Sequence, residues 1–144
     1  MKVITMIFLT FFLGKGCSDE NKQDMENSVI EYVANTRGFY QKVEIKNNIF
    51  TVSKDRSGNE KPLEKKISDA DWKELVADFK EIKLSEMDSL KAPSEKRFYD
   101  GAAIANLKIT YKDSVYESQN FDYGNPPIGI DKLVNKINEL AKKE

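Results

Sequence analysis

The chain contains no histidine and a single cysteine among its 144 residues. Without an imidazole there is no Ser-His-Asp triad, no histidine general base and no histidine metal ligand. One thiol cannot form an intramolecular disulfide. The sequence also lacks the G-x-S-x-G elbow, the P-loop and the dinucleotide-binding glycine motif. Carboxylate chemistry is the catalytic class that these absences leave open, and no cofactor is expected.

Neither sign of charge predominates, because 23 basic and 24 acidic side chains give a net charge of −1. A nucleic-acid-binding protein usually carries a basic patch, and a protein bound to anionic lipid usually carries a polybasic segment. We therefore expect no nucleic-acid partner. The length suits one domain with its own core, repeats of 20–50 residues are absent, and we expect a monomer.

Long apolar runs are confined to the amino terminus. Lys2 precedes an apolar run from Val3 to Leu13, and Lys15 blocks its extension. These eleven residues would rise about 16 Å as a helix, roughly half of the ~30 Å hydrocarbon core of a bilayer. The run therefore predicts the apolar region of a signal peptide rather than a membrane span.

Cys17 follows this run directly and is preceded by Gly16. The segment resembles a relaxed lipobox of bacterial lipoproteins, and residues 18–20 (SDE) resemble the acidic export signal of Bacteroidota lipoproteins. The resemblance implies cleavage before Cys17, lipid on its sulfur and amino group, and a place in the cell envelope at the outer membrane. Two or more acyl chains make such anchoring stable. The alternatives are an ordinary signal peptide cut near Gly16, which leaves a free thiol, and an uncleaved anchor.

These features predict three parts of the chain. Residues 1–16 form the signal peptide, and residues 17–27 contain the lipidated cysteine and a flexible tether. The tether is predicted because SDENKQDMEN is polar and has no apolar period. Residues 28–144 form the single folded domain.

The pair Asn47-Asn48 separates two segments in which apolar residues alternate with polar ones. Asparagine tolerates the positive φ that a type I′ turn requires. A two-residue loop places Ile45 opposite Phe50 and Val43 opposite Val52. All four side chains then share one face, which predicts a hairpin with this register.

A second hairpin is predicted around Asp113-Ser114. A two-residue loop would place Tyr111 opposite Tyr116, and a three-residue loop would place Tyr111 opposite Val115. The sequence leaves both registers open. The segment Val29–Thr36 suits either a strand or a short helix.

Apolar residues at helical spacing predict two helices. Ser68 and Asp71 form a near capping box at the start of the first helix, over residues 68–82. Its stripe consists of Trp72, Leu75, Val76, Phe79 and Ile82. The stripe of the second, from about Ile130 to Lys142, consists of Ile130, Leu133, Val134, Ile137, Leu140 and Ala141. Hairpins and helices with matching apolar faces predict a two-layer α+β fold, an antiparallel sheet with both helices on one face.

Three segments are predicted to be loops. Residues 55–66 alternate oxygen-bearing side chains loosely in the manner of a calcium loop, but their spacing does not fit an EF-hand, which favours a solvated loop. We expect residues 84–97 to form a loop that crosses the domain and packs against it through Leu84, Met87 and Leu90. Residues 121–129 contain two prolines and two glycines, which predicts the absence of regular structure.

Two loops, residues 97–101 (RFYDG) and residues 121–125 (FDYGN), each combine aromatic rings with one aspartate and one glycine. The candidate binding surface consists of Arg97, Tyr99, Asp100, Phe121, Asp122 and Tyr123. If the segments meet, Asp100 and Asp122 could pair, with Arg97 as a cationic partner, and bind a sugar, a peptide or a cation. The alternative is that both aspartates cap local backbone, as they often do in turns.

The sequence therefore predicts a lipid-anchored envelope protein with a non-enzymatic binding or structural domain. Its expected partners are the membrane, through the anchor, and another envelope protein. One alternative is an inhibitor or immunity-type domain that contacts an enzyme through the FDYGNPP loop. Another is a carboxylate-dependent hydrolase of envelope polysaccharide, which needs two acids roughly 5–9 Å apart in a cleft.

Overall fold

The computed structural model describes residues 25–143. Cys17, the predicted signal peptide and most of the predicted tether lie outside the described residues, so cleavage and lipidation stay predictions. Among residues 25–143, no helix combines the length and the apolar character needed to cross a membrane.

The described part contains seven strands, two α-helices and three short 3₁₀ segments. The strands are β1 (Ser28–Thr36), β2 (Phe39–Lys46), β3 (Ile49–Ser53), β4 (Leu63–Lys66), β5 (Ile104–Tyr111), β6 (Ser114–Glu117) and β7 (Phe121–Asp122). The helices are α1 (Asp69–Lys80) and α2 (Asp131–Lys142), and the 3₁₀ segments are Met25–Asn27, Leu84–Ser89 and Lys96–Tyr99.

All seven strands form one antiparallel sheet in the order β4-β3-β2-β1-β5-β6, and β7 pairs with the first residues of β5. The α+β fold predicted from the sequence is therefore confirmed. The first hairpin has the predicted register, with Ile45 opposite Phe50 and Val43 opposite Val52. Its turn residues Asn47 and Asn48 have φ of 51° and 66°. The ambiguous segment Val29–Thr36 is part of the central strand β1.

The second hairpin has neither of the two registers left open by the sequence. Tyr111 lies opposite Ser114, so the two-residue turn is Lys112-Asp113, with φ of 47° and 64°. This register places Tyr116 opposite Ile109, which is buried in the core. Tyr116 shares the core face with Ile109 and Tyr111, as it would also with a turn at Asp113-Ser114, whereas the three-residue loop would have moved it to the other face.

Three predicted segment boundaries are corrected by strand pairing or by burial. The predicted loop 55–66 ends in the edge strand β4, whose four residues are all exposed. The segment 121–129, predicted to be irregular, begins with the two-residue strand β7, because Phe121 pairs with Ala105. The predicted tether ends before Met25 rather than at Asn27, since Met25 is buried and its carbonyl accepts a 2.8 Å hydrogen bond from the Ser28 hydroxyl.

Both helices cover the same face of the sheet, as predicted. Every second residue of β1 and β5 faces the core, and Tyr32 of β1 and Tyr111 of β5 occupy such positions. Phe79 of α1 contacts the Tyr111 ring, and Asn138 of α2 contacts the Tyr32 hydroxyl. Five of the six apolar positions predicted for the second stripe are buried within α2, and the sixth, Ile130, is buried directly before it.

The start of α1 shows the predicted cap and a link to α2. The Ser68 hydroxyl accepts a hydrogen bond from the Asp71 amide at 3.2 Å and donates one to the Asp71 carboxylate at 2.9 Å. Lys136 of α2 places its ammonium group 2.9 Å from Asp71 and 2.5 Å from Glu74. The hydrogen bond to Glu74, followed by that to Asp71, raises the pKa of Lys136. The side chain stays charged although it is almost wholly buried.

The descending segment after α1 makes the contacts expected of it. The 3₁₀ segment Leu84–Ser89 buries Leu84 and Met87, and Leu90 is partly buried against the same core. It passes beside β6 at one edge of the sheet. The chain then reaches the loop that precedes β5, where Arg97, Tyr99 and Asp100 lie.

Candidate functional site: a loop fixed by Asp122

The two candidate segments meet at one end of the sheet. Asp122 of β7 lies opposite Ile104, the first residue of β5. Residues 94–101 pack beside this strand and contain the 3₁₀ segment Lys96–Tyr99. We call residues 94–101 the aromatic loop.

The carboxylate of Asp122 holds the aromatic loop in place. One oxygen accepts hydrogen bonds from the Ser94 hydroxyl at 2.5 Å and the Lys96 amide at 2.8 Å. The other accepts from the Arg97 amide at 3.0 Å and the Arg97 guanidinium at 3.2 Å. Asp122 is only 1% exposed. A buried charge is stable when it is paired and hydrogen-bonded in this way.

These contacts determine the protonation state of Asp122. Burial by itself would raise the pKa of its carboxyl group. Hydrogen bonds from the Ser94 hydroxyl, from the amides of Arg97 and Lys96 and from the Arg97 guanidinium together outweigh burial and lower the pKa to about 2. Asp122 is therefore ionised at neutral pH and acts as an acceptor.

Further hydrogen bonds fix the two ends of the aromatic loop. The Arg97 guanidinium donates to the Ser94 carbonyl at 2.7 Å, and the Asn125 side chain donates to the Ser94 hydroxyl at 2.8 Å. Asp100 ends the 3₁₀ segment in the left-handed region with φ of 60°. The Gly101 amide closes the turn with a 2.8 Å hydrogen bond to the Lys96 carbonyl, and a Cβ at position 101 would lie 2.9 Å from the Tyr99 ring.

Two aromatic side chains project from this fixed loop. Phe98 and Tyr99 are each 71% exposed. The Arg97 guanidinium lies 4.4 Å from the centre of the Phe98 ring, a distance at which a cation is attracted to the ring face. The loop therefore presents two neighbouring aromatic rings whose supporting backbone is anchored in the domain.

The structure separates the six candidate residues into three groups. Arg97 and Asp122 are brought together, and Tyr99 and Asp100 lie exposed on the aromatic loop. The other two residues belong to the packed domain. Phe121 is fully buried and stacks on Tyr32 with ring centres 6.3 Å apart, and the half-buried Tyr123 packs on Phe39 at 5.2 Å.

These positions correct the surface predicted from the sequence. Phe121 and Asp122 are buried, so neither forms part of an exposed binding surface. In the FDYGNPP segment the two prolines are also buried, whereas Gly124 and Asn125 are exposed. Sequence reasoning missed Phe98. Its signal was an aromatic residue that fits no helix or strand period, next to Arg97 and Tyr99 in the chain.

A cleft of about 500 Å³ lies between the turn at Tyr123 and the last part of α2, where Asn135, Asn138 and Lys142 contribute to its wall. The amide of Asn138 donates a 3.4 Å hydrogen bond to the Tyr32 hydroxyl, whereas its carbonyl oxygen is buried without a partner among the described residues. Burial of the ring raises the pKa of Tyr32 to about 12, with the Asn138 hydrogen bond opposing this rise. Tyr32 is therefore neutral at physiological pH.

The segment with loose calcium-loop character makes its own internal contacts. The carboxylate of Asp55 accepts hydrogen bonds from the Ser57 hydroxyl at 2.6 Å, the Ser57 amide at 2.9 Å and the Glu60 amide at 2.8 Å. These bonds, that from the Ser57 hydroxyl first, lower the pKa of Asp55 to about 2. Within residues 25–143, no group of three or more acidic or thiol side chains is arranged to hold a metal ion.

No protein-family model, curated protein or solved structure matches the chain significantly. The function is therefore argued from the sequence and from the geometry of the aromatic loop.

Proposed function

We propose that the chain is a lipid-anchored protein of the cell envelope whose domain binds another protein through the aromatic loop, without catalysis. Cys17 would carry the anchor, and Phe98 and Tyr99 would form the centre of the contact. The observation that carries this proposal is that two exposed aromatic rings project from a backbone held by the buried carboxylate of Asp122.

Exposed aromatic rings at a fixed position suit a binding role. Burial of apolar surface stabilises a complex by about 25 cal/mol per Å², and aromatic residues and arginine are enriched at the centres of protein interfaces. Ordering a mobile loop on binding opposes association. Because Asp122 already orders Arg97 and its neighbours, less conformational entropy remains to be lost when the loop meets a partner.

The geometry of Asp122 favours binding over hydrolysis of a polysaccharide. A general acid must hold a proton near the working pH and reach the substrate. Asp122 is buried, is ionised at neutral pH and directs both oxygens to the aromatic loop. Its partners are Ser94, Lys96 and Arg97, so its contacts are those of a residue that positions backbone.

The double substitution Phe98→Ala and Tyr99→Ala tests the binding role. Val115→Ala is the matched control, because Val115 is also an exposed apolar side chain and lies on β6, away from the loop. Each tagged protein is purified from envelope membranes, and the bound proteins are quantified by mass spectrometry. We expect at least one protein bound by the wild type and the control to be lost from the double variant.

The same proteins recovered with the double variant would overturn the proposed function. Circular dichroism and thermal unfolding exclude a trivial loss of fold. Removal of mostly exposed side chains is expected to change the free energy of unfolding by no more than about 0.5 kcal/mol.

A further inference from the structure

The sheet has two ends, and the chain enters the domain at one of them. Met25 packs beside α1, and β1 then runs for nine residues from Ser28 to Thr36. At about 3.3 Å per residue this strand spans roughly 26 Å. The end at Ser28 is called the tether end, and the end at Thr36 is called the far end.

Strand register shows which features share the tether end. Ser28 lies opposite Tyr111, which is followed directly by the turn Lys112-Asp113. Ile30 lies opposite Ile45, close to the turn Asn47-Asn48. Both hairpin turns are therefore at the end where the predicted tether joins the domain.

The same pairings place the aromatic loop at the far end. Asn35 of β1 lies opposite Ile104 of β5, and Ile104 lies opposite Asp122 of β7. The carboxylate of Asp122 in turn holds Arg97, the residue before Phe98. The length of the central strand thus separates the aromatic loop from the start of the domain.

We propose that the aromatic loop points away from the membrane that holds Cys17, and that its partner is a protein not embedded in that membrane. The inference rests on the proposed function. Only eight residue steps separate Cys17 from Met25, and they reach at most about 29 Å. The tether end is thereby kept near the bilayer, and the aromatic loop extends from the opposite end of β1.

The charges of the loop favour a protein over a lipid surface. Lys96 and Arg97 are balanced by Glu95 and Asp100. Loops and helices that bind anionic membranes usually carry an excess of basic residues beside their apolar side chains. A mixed set of charges around two aromatic rings is typical of the polar rim and apolar centre of a protein interface.

Fluorescence quenching by the bilayer tests the orientation. The full protein is purified with its anchor and reconstituted in phosphatidylethanolamine and phosphatidylglycerol vesicles that contain a lipid with a nitroxide headgroup. A fluorescent amino acid is placed at Tyr99 in one sample and, as the matched control, at the exposed Asp113 in another. We expect at least about twofold stronger quenching at 113, because roughly 26 Å of strand separates the two ends.

Equal quenching at the two positions, or stronger quenching at 99, would overturn the inference; the latter would indicate a loop inserted in the bilayer. Failure to recover an anchored form would overturn it together with the anchor. The inference also falls if the protein lost from the Phe98→Ala and Tyr99→Ala variant is embedded in the same membrane. If the double variant loses a partner but quenching is equal at positions 99 and 113, the proposed binding role stands and only the orientation is wrong. If quenching is stronger at position 113 but the double variant retains every partner, the binding role is overturned instead.

Discussion

Asp122 shows how one residue can order a whole loop. Its two carboxylate oxygens accept four hydrogen bonds from Ser94, Lys96 and Arg97. These donors span the first half of the aromatic loop, and Ser94 is in turn bonded to Asn125. The position of Phe98 therefore depends on a side chain that is itself hidden from any partner.

The substitution Asp122→Asn is expected to destabilise the domain by about 3 kcal/mol, because it leaves the Arg97 guanidinium unpaired and directs an amide donor at groups that are also donors. Urea unfolding measures this change. Asp100→Asn is the control, since Asp100 is exposed and asparagine also tolerates its positive φ. Equal stabilities of the two variants would contradict the role assigned to Asp122.

The depressed pKa of Asp122 predicts an acid-sensitive component of stability. The pKa is about 2 in the folded protein and 3.8 for an ordinary aspartate, so the folded state favours the ionised form. This contribution, about 2 kcal/mol, is fully present above pH 4 and is lost as the pH falls through 2. Unfolding free energies measured between pH 5 and pH 2 should fall less steeply in Asp122→Asn. Parallel curves would show that Asp122 is not the source.

At the scale of elements, the turn Lys112-Asp113 imposes an unfavourable backbone conformation on a lysine. Both residues have positive φ, as a type I′ turn requires, but lysine disfavours this region. Replacing the pair with Asn-Gly is expected to stabilise the domain by about 1 kcal/mol. Thermal unfolding measures the change. The control places Asn-Gly at positions 47 and 48, where the turn is already favourable. An equal increase in stability there would contradict the explanation.

The elements that the sequence predicted are those in which local and tertiary preferences agree. Asn47-Asn48 suits its turn and also aligns apolar residues, so the first register followed from the sequence. At the second turn the two preferences conflict. Asp113-Ser114 resembles a turn, but the pairing of β6 with β5 places the turn at Lys112-Asp113. No local signal reveals such a shift.

The candidate site was predictable in part for the same reason. The sequence offered Arg97 as the cationic partner of an Asp100–Asp122 pair if the two loops met; the structure brings Arg97 to Asp122 and leaves Asp100 exposed. It did not reveal that Phe121 pairs with Ala105 and carries Asp122 into the interior. That pairing joins residues distant in the chain, and a two-residue strand is too short to produce a pattern.

At the scale of the whole molecule, lipidation of Cys17 is the prediction on which the orientation depends. Growth with an alkyne-bearing fatty acid, followed by coupling to a fluorophore, should label the wild type and leave Cys17→Ala unlabelled. The reason is that Cys17 is the only cysteine and would be the new amino-terminal residue after cleavage. Equal, negligible labelling of both proteins would remove the anchor from the account.

The position of β1 in the middle of the sheet has a consequence for folding kinetics. β1 pairs on one side with the nearby β2 and on the other with β5, so that Tyr32 meets both Val43 and Leu107. Hairpins between neighbouring strands close quickly, whereas distant segments meet only after a large loss of chain entropy. We expect this long-range closure to set the folding rate. Until β5 arrives, one side of β1 would remain an open edge on which a second nascent chain could pair.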